Sequence, residues 1–166
     1  MTTTIVRTNS ENQDFIGLVR LLDAELAQRD GNEHSFYAQY NTIDRLTHVI
    51  VAYVNEKPIG CGALKEYSPG TMEVKRIFTI RENRGKGIGV RVLNELETWA
   101  SEMHYSKLIL ETGKRQPEAI GLYKKNGYMI IPNYGQYADI ENSVCFEKRI
   151  HSVPLNEQQH SNKILP

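Results

Sequence analysis

The spacing of hydrophobic residues changes period several times along the chain, and each change marks an element. Residues 3–8 read as a short first strand. From about 14 to 29, Phe15, Leu18, Val19, Leu22, Ala24 and Leu26 keep one apolar side, which predicts a helix. Asp30-Gly31-Asn32 ends it with turn chemistry. The aromatic stretch His34 to Asp44 reads as a short second helix holding Phe36, Tyr37 and Tyr40. Thr47 to Val54 is then rich in β-branched residues, Asn55-Glu56-Lys57 is a hairpin turn, and Pro58 to Lys65 is the return strand. Ser68-Pro69-Gly70 leads into a third strand, Thr71 to Ile80, which completes an antiparallel meander.

The second half alternates helix and strand. Ile88, Val92, Leu93, Leu96, Trp99, Ala100 and Met103 recur mostly at steps of three and four and predict a long helix over 87–104. Residues 107–111 form a strand. A helix over about 117–126 has Pro117 in its first turn and Gly127 just past its end. Two more strands follow, 128–131 and 143–150, joined by a loop. The strand–helix–strand unit 71–111 implies a parallel pair with a right-handed crossover. The result is a mixed sheet of about seven strands flanked by about four helices, an α/β (α+β) fold in one domain over 1–150. Residues 151–166 turn polar, rich in Asn, Gln, His and Ser, and read as a flexible tail.

Composition narrows the function classes. A length of 166 residues suits a single domain. Lys plus Arg and Asp plus Glu balance at 20 each. That balance removes the electrostatic case for sequence-independent nucleic-acid binding or for an anionic membrane surface. No apolar run approaches the ~18–20 residues of a membrane helix, and Met1 to Arg7 carries no charged leader before an apolar stretch. Cys61 and Cys145 lack C-x-x-C spacing and sit in apolar, strand-like surroundings, which suggests reduced, buried thiols in a cytoplasmic protein. The five histidines show no H-x-x-x-H or H-x-H spacing, so no zinc site is expected. A G-x-S-x-G hydrolase elbow is absent.

The most informative stretch is Arg84-Gly85-Lys86-Gly87-Ile88-Gly89, between a strand and the long helix. Each glycine costs roughly 1 kcal/mol against alanine inside helical turns. Glycine also lets a ligand approach the backbone closely, where unpaired helix N-terminal amides make an anion site. Arg84, Lys86 and Arg91 cluster at the helix start while Glu95, Glu97 and Glu102 lie further along, the reverse of what the helix dipole favours. A bound anion would compensate. The bland reading is a turn that only permits tight helix–sheet packing. No Walker run exists, and the Rossmann pattern fails at Val90.

This loop resembles the R/Q-x-x-G-x-G/A signature of the GCN5-related N-acetyltransferase superfamily. Glu111-Thr112-Gly113 followed by Ala119-Ile120-Gly121-Leu122-Tyr123-Lys124-Lys125-Asn126-Gly127-Tyr128 is similar to that family's second block, and the two together cover a resemblance over roughly 3–150. The resemblance implies acetyl-CoA as co-substrate, with no metal. It would lay the pyrophosphate on the amides of Arg84, Gly85, Lys86, Gly87, Ile88 and Gly89. The pantetheine arm would run beside Ile77, Phe78 and Thr79, with the strands at 71–80 and 107–112 splayed at their C-terminal ends. The implied reaction is direct attack of a primary amine on the thioester in a ternary complex, an acyltransferase reaction. The acceptor would be a small molecule or a peptide. Family members are often dimers, so a homodimer is an expectation too.

An alkyl amine, with a pKa near ~10.4, must lose a proton before attack. Glu73 lies eleven residues before Arg84, where some family members carry a catalytic glutamate; its bland reading is an ion pair with a nearby Lys or Arg. Glu111 is the second candidate. Tyr123 matches the family position that protonates the leaving thiolate, and otherwise reads as an amphipathic core tyrosine. Tyr134 to Tyr137 and His34 to Tyr40 could line an acceptor pocket, and Glu33, Glu66, Asp139 and Glu141 could favour a cationic amine. Two alternatives compete: a non-catalytic CoA- or acyl-CoA-binding regulatory module, and, further off, a nucleotide-phosphate binder.

Overall fold

In the computed structural model, the described residues are 2–31 and 45–151. The segment expected to form a second helix at 34–44 and the tail from 152 onward lie outside them. Strand β1 (Thr3–Thr8) leads into helix α1 (Gln13–Asp30). The Asn12 side chain caps α1 by accepting from the Phe15 amide at 2.9 Å, and Gly31 closes it at φ 55. Phe15, Leu18, Val19 and Leu22 face the core as expected, but Ala24 is exposed. Two residues past Leu22, it is turned about 200° away from the buried stripe.

Strands β2 (His48–Val54), β3 (Lys57–Ser68) and β4 (Thr71–Thr79) form the meander. Asn55 and Glu56 turn the first hairpin with φ 50 and 66, the left-handed pair that matches strand twist. Helix α2 (Ile88–Glu102), strand β5 (Lys107–Gly113), helix α3 (Pro117–Lys125) and strands β6 (Met129–Ile131) and β7 (Ser143–Arg149) complete the chain. Strand β3 runs three residues past its expected end because the ladder with β4 continues to Ser68↔Thr71. Strand β5 extends to Gly113 because β7 pairs with it throughout.

The sheet order is β1-β2-β3-β4-β5-β7-β6. Both faces are covered around β2, whose consecutive residues Val49 to Ala52 are all 0% exposed although alternate side chains point to opposite faces. Val92, Leu93, Leu96 and Ala100 of α2 are likewise at 0%. Gly62 on β3 explains how closely α2 lies: an added Cβ would meet Ile77, Val92 and Leu96 side chains at 2.7–3.0 Å. Cys61 and Cys145 are free and fully buried, and burial pushes their thiols up to about 12 and about 11.

Strands β4 and β5 are the parallel pair, and their ladder is confined to Thr71↔Lys107, Met72↔Leu108 and Glu73↔Ile109. Beyond Glu73 each keeps its outer partner, β4 with β3 and β5 with β7, while the two part from each other. The cause is visible in the register. Cys61 faces Phe78 and Ala63 faces Lys75, so Arg76 and Ile77 together oppose the single Gly62. This β-bulge bends β4 away from β5. Its inserted residue, Arg76, has φ 63. A non-glycine residue pays for that conformation with about 1–2 kcal/mol, which the surrounding packing must offset. The Cys61 thiol helps by donating to the Arg76 carbonyl at 3.3 Å.

Candidate active site

Two spaces open where β4 and β5 separate. The first is a groove of about 650 Å³ over the start of α2, lined by Ile77, Phe78, Thr79, Arg84, Gly85, Gly87, Ile88 and Gly89 among others. Eight of the nine residues expected at a coenzyme site therefore share one surface; Lys86 is exposed beside it. Gly85 and Gly87 adopt φ 76 and 81, and a Cβ on either would meet nothing within 4 Å. The backbone is bare where a ligand would lie. Helix α2 has no side-chain cap at Gly87 and no acid in its first turn. Among the described residues, the amides of Gly85 to Gly89 take no backbone acceptor, whereas Arg91 N–H makes the first helical bond, to the Gly87 carbonyl. A loop with these properties fits a diphosphate.

Arg84 is a different kind of residue from its neighbours. Its amide bonds the Arg81 carbonyl at 3.3 Å, so it is used inside the loop. Its guanidinium grips Glu25 of α1 with both nitrogens, at 2.9 and 2.8 Å, and its Nε donates to the Thr79 carbonyl at 2.8 Å. These bonds hold the Glu25 carboxyl below its usual range, chiefly through Arg84, and raise Arg84 in turn. Arg29 of α1 reaches on to Glu118 in the first turn of α3. Arg84 thus clamps the loop between α1 and β4. The basic cluster expected at the helix start is partly neutralised by Glu25, and the acids further along α2 have their own partners. Glu95 and Glu102 meet Arg7 at 3.0 and 2.6 Å, and Glu97 meets Lys148 at 2.8 Å. The reversed charge order has a structural cause in β1 and β7 as well as any cause in a ligand.

The second space is a cleft of about 120 Å³ between the parted strands, lined by Glu73, Arg76, Glu111, Tyr123 and Tyr137 among others, with Ile77 common to both spaces. Glu73 is buried; it accepts from the Tyr134 hydroxyl at 2.6 Å and lies 3.8 Å from the Lys75 ammonium. Glu111 accepts from the Ser143 hydroxyl at 2.6 Å. Tyr123, on α3, is 5% exposed and packs edge-on to Tyr128 and at a tilt to Phe146, at ring distances of 5.8 and 5.7 Å. Burial, with the nearby Glu111 carboxylate, raises its phenol well above the ordinary value. Tyr134 is raised too, by burial and then by Glu73. Both phenols therefore stay protonated at any working pH.

Several expectations about the acceptor side fall elsewhere. Glu66 is exposed and accepts from the Tyr105 hydroxyl at 2.7 Å. Asp139 and Glu141 are exposed and do not line the cleft. Glu33 and His34 to Tyr40 lie outside the described residues. Sequence reasoning missed Glu25, Arg76 and Ser143. Nothing local marks a helix glutamate as the partner of an arginine 59 residues away, or an arginine as the residue at a bulge. Among the described residues, no group of three His, Cys, Asp or Glu is placed to hold a metal, and no helix is long and apolar enough to cross a membrane.

A bare glycine loop before a helix, beside a pair of parallel strands held apart, is the architecture of an acyltransferase that takes its acyl group from a CoA thioester. Residues 11–128 match the family model described as the acetyltransferase (GNAT) family, and the chain belongs to that family. Acetyl-CoA is its co-substrate. An IAA acetyltransferase of Azospirillum brasilense is 31% identical over 147 residues, 87% of this chain and 96% of the relative. A crystal structure from Klebsiella pneumoniae, of a protein provisionally assigned as an acyl-CoA N-acyltransferase, is 29% identical with a TM-score of 0.75, covering 90% of this chain and 98% of that one. The fold is shared also with an acetyltransferase of Elizabethkingia anophelis solved with acetyl-CoA bound, at 20% identity and a TM-score of 0.66, over 89% of this chain and 98% of that one.

Proposed function

We propose that the protein is an N-acetyltransferase that moves the acetyl group of acetyl-CoA to a primary amine by direct attack in a ternary complex. The observation that carries this reading is the meeting of Glu73 and Tyr123 in one cleft, which Ile77 joins to the glycine groove. Bound acetyl-CoA supplies a thioester; the chain's residues supply everything else. The amides of Gly85 to Gly89 hold the diphosphate, with Lys86 beside it. The free edge of β4 at Ile77, Phe78 and Thr79 offers peptide groups to the pantetheine arm, because its partner β5 has left.

Glu73 takes the proton from the alkylammonium, directly or through one water. The amine nitrogen then bonds the acetyl carbon, and the carbon–sulfur bond breaks. Tyr123 gives its phenolic proton to the departing sulfur, whose parent thiol has a pKa of about 8.5, and takes back the second proton that the nitrogen sheds on becoming an amide. Burial keeps the phenol protonated, so the proton is present to give, but it also makes the phenol a weaker acid. Tyr134 holds the Glu73 carboxylate in place through its 2.6 Å bond. The test is incubation with acetyl-CoA and a broad panel of primary amines, following free thiol and acetylated product. Amine-dependent release is expected. Calorimetric CoA binding without release for any amine would instead make the protein a non-catalytic CoA-binding module.

A further inference from the structure

Arg76 is the residue that the bulge inserts into β4, and its side chain is 2% exposed. Nη1 donates to the Asp23 carboxylate at 2.8 Å. Nη2 is buried with no hydrogen-bond partner, the one such side-chain nitrogen or oxygen among the described residues. Arg84 shows what this chain does when an arginine only ties elements together: both its terminal nitrogens close on one carboxylate. Arg76 gives Asp23 a single nitrogen, and Asp23 is itself 45% exposed, so water can serve the rest of that carboxylate. A buried, unpaired guanidinium N–H is costly and rare in folded proteins. Here it belongs to a residue that lines the same cleft as Glu73 and Tyr123.

The cleft therefore carries carboxylates at Glu73 and Glu111 and cations at Arg76 and at Lys75, which lies 3.8 Å from Glu73. That distribution complements a molecule with charges of both signs. A guanidinium recognises a planar carboxylate with directed hydrogen bonds. We propose that the acceptor is an amine that also carries a carboxylate, and that Arg76 Nη2 donates to that carboxylate while the amine faces Glu73. This deepens the N-acetyltransferase reading and rests on it.

The experiment is steady-state kinetics on aliphatic amino acids with one to four carbons between amine and carboxylate, each paired with its carboxamide. For the wild type, kcat/KM for the best amino acid should exceed that of its carboxamide by about tenfold or more, mainly through KM, as expected for loss of a charge-assisted hydrogen bond. In R76K and R76Q that ratio should fall to near one. Thermal melting and calorimetric CoA binding of each variant report whether the fold and the coenzyme groove survive. The wild-type ratio decides the question even if neither variant folds. A wild-type ratio near one overturns the proposal. So does an R76K or R76Q protein that loses activity equally on acid and amide, which would put Arg76 on the thioester or in the scaffold. Thiol release without carboxylate preference overturns this inference and leaves the N-acetyltransferase reading standing; no release from any amine removes both.

Discussion

The glycine loop and the cleft between β4 and β5 are built by opposite means. The loop works through main chain: bare glycines, uncapped amides and one arginine turned inward as a clamp. The cleft works through side chains, gathered from β4, β5, α3 and the loop before β7. Strain is treated differently as well. The loop places its left-handed conformations on Gly85 and Gly87, where they cost little, while the cleft places one on Arg76. On the proposed reading, coenzyme affinity and chemical rate are separable, since they would depend on different atoms in regions joined through Ile77.

Substitutions can break that separation or sharpen it. The largest effect is expected from Tyr123→Phe, which keeps the ring packing and removes the proton donor. It should lower kcat by about 10²-fold or more, the usual scale of general acid catalysis, with CoA affinity nearly unchanged. An unaltered kcat would take Tyr123 out of the reaction. Glu73→Gln should follow, with kcat/KM down by about 10–10²-fold at neutral pH and the deficit shrinking as pH rises toward the amine's own pKa. A deficit that is flat with pH would point to an ion-pairing role for Glu73 instead.

On the loop side the readout changes. Gly87→Ala places a Cβ in the groove and an alanine at φ 81. It should raise the CoA dissociation constant by about tenfold, equivalent to 1.4 kcal/mol, while kcat at saturating acetyl-CoA holds. The smallest effect on catalysis should come from Glu25→Gln, which loosens the clamp. It should cost about 1–2 kcal/mol of stability, with Tm falling by about 2–4 °C per kcal/mol for a chain of this size. The sign with pH is fixed by the depressed Glu25 carboxyl. Its contribution is present above the unfolded value of about 4.3 and is lost as pH falls through the lower folded value. The Tm gap between wild type and E25Q should be full at pH 7 and close in acid.

What the sequence discloses follows the same division. The loop is legible because its signal is local: glycine, spacing and helix start lie within six residues. The strands and helices are legible through period, and their ends move only where a neighbouring strand extends the ladder, as β7 does for β5. Tyr123 can be picked out because a recognisable block surrounds it. Arg76 and Glu25 cannot, because their meaning arises from a bulge and from a helix that meets its partner only in the folded chain. The reversed charges on α2 have a second cause hidden for the same reason, since Arg7 and Lys148 arrive from distant strands to answer them.

The two cysteine thiols on the sheet decide how turnover can be watched. Both are at 0% exposure and far from ionising near neutrality, and the chain has no other cysteine. A chromogenic disulfide added to the native enzyme will thus colour only with coenzyme set free by catalysis, since attack requires an accessible thiolate. Colour that grows without acetyl-CoA will instead time the opening of the core.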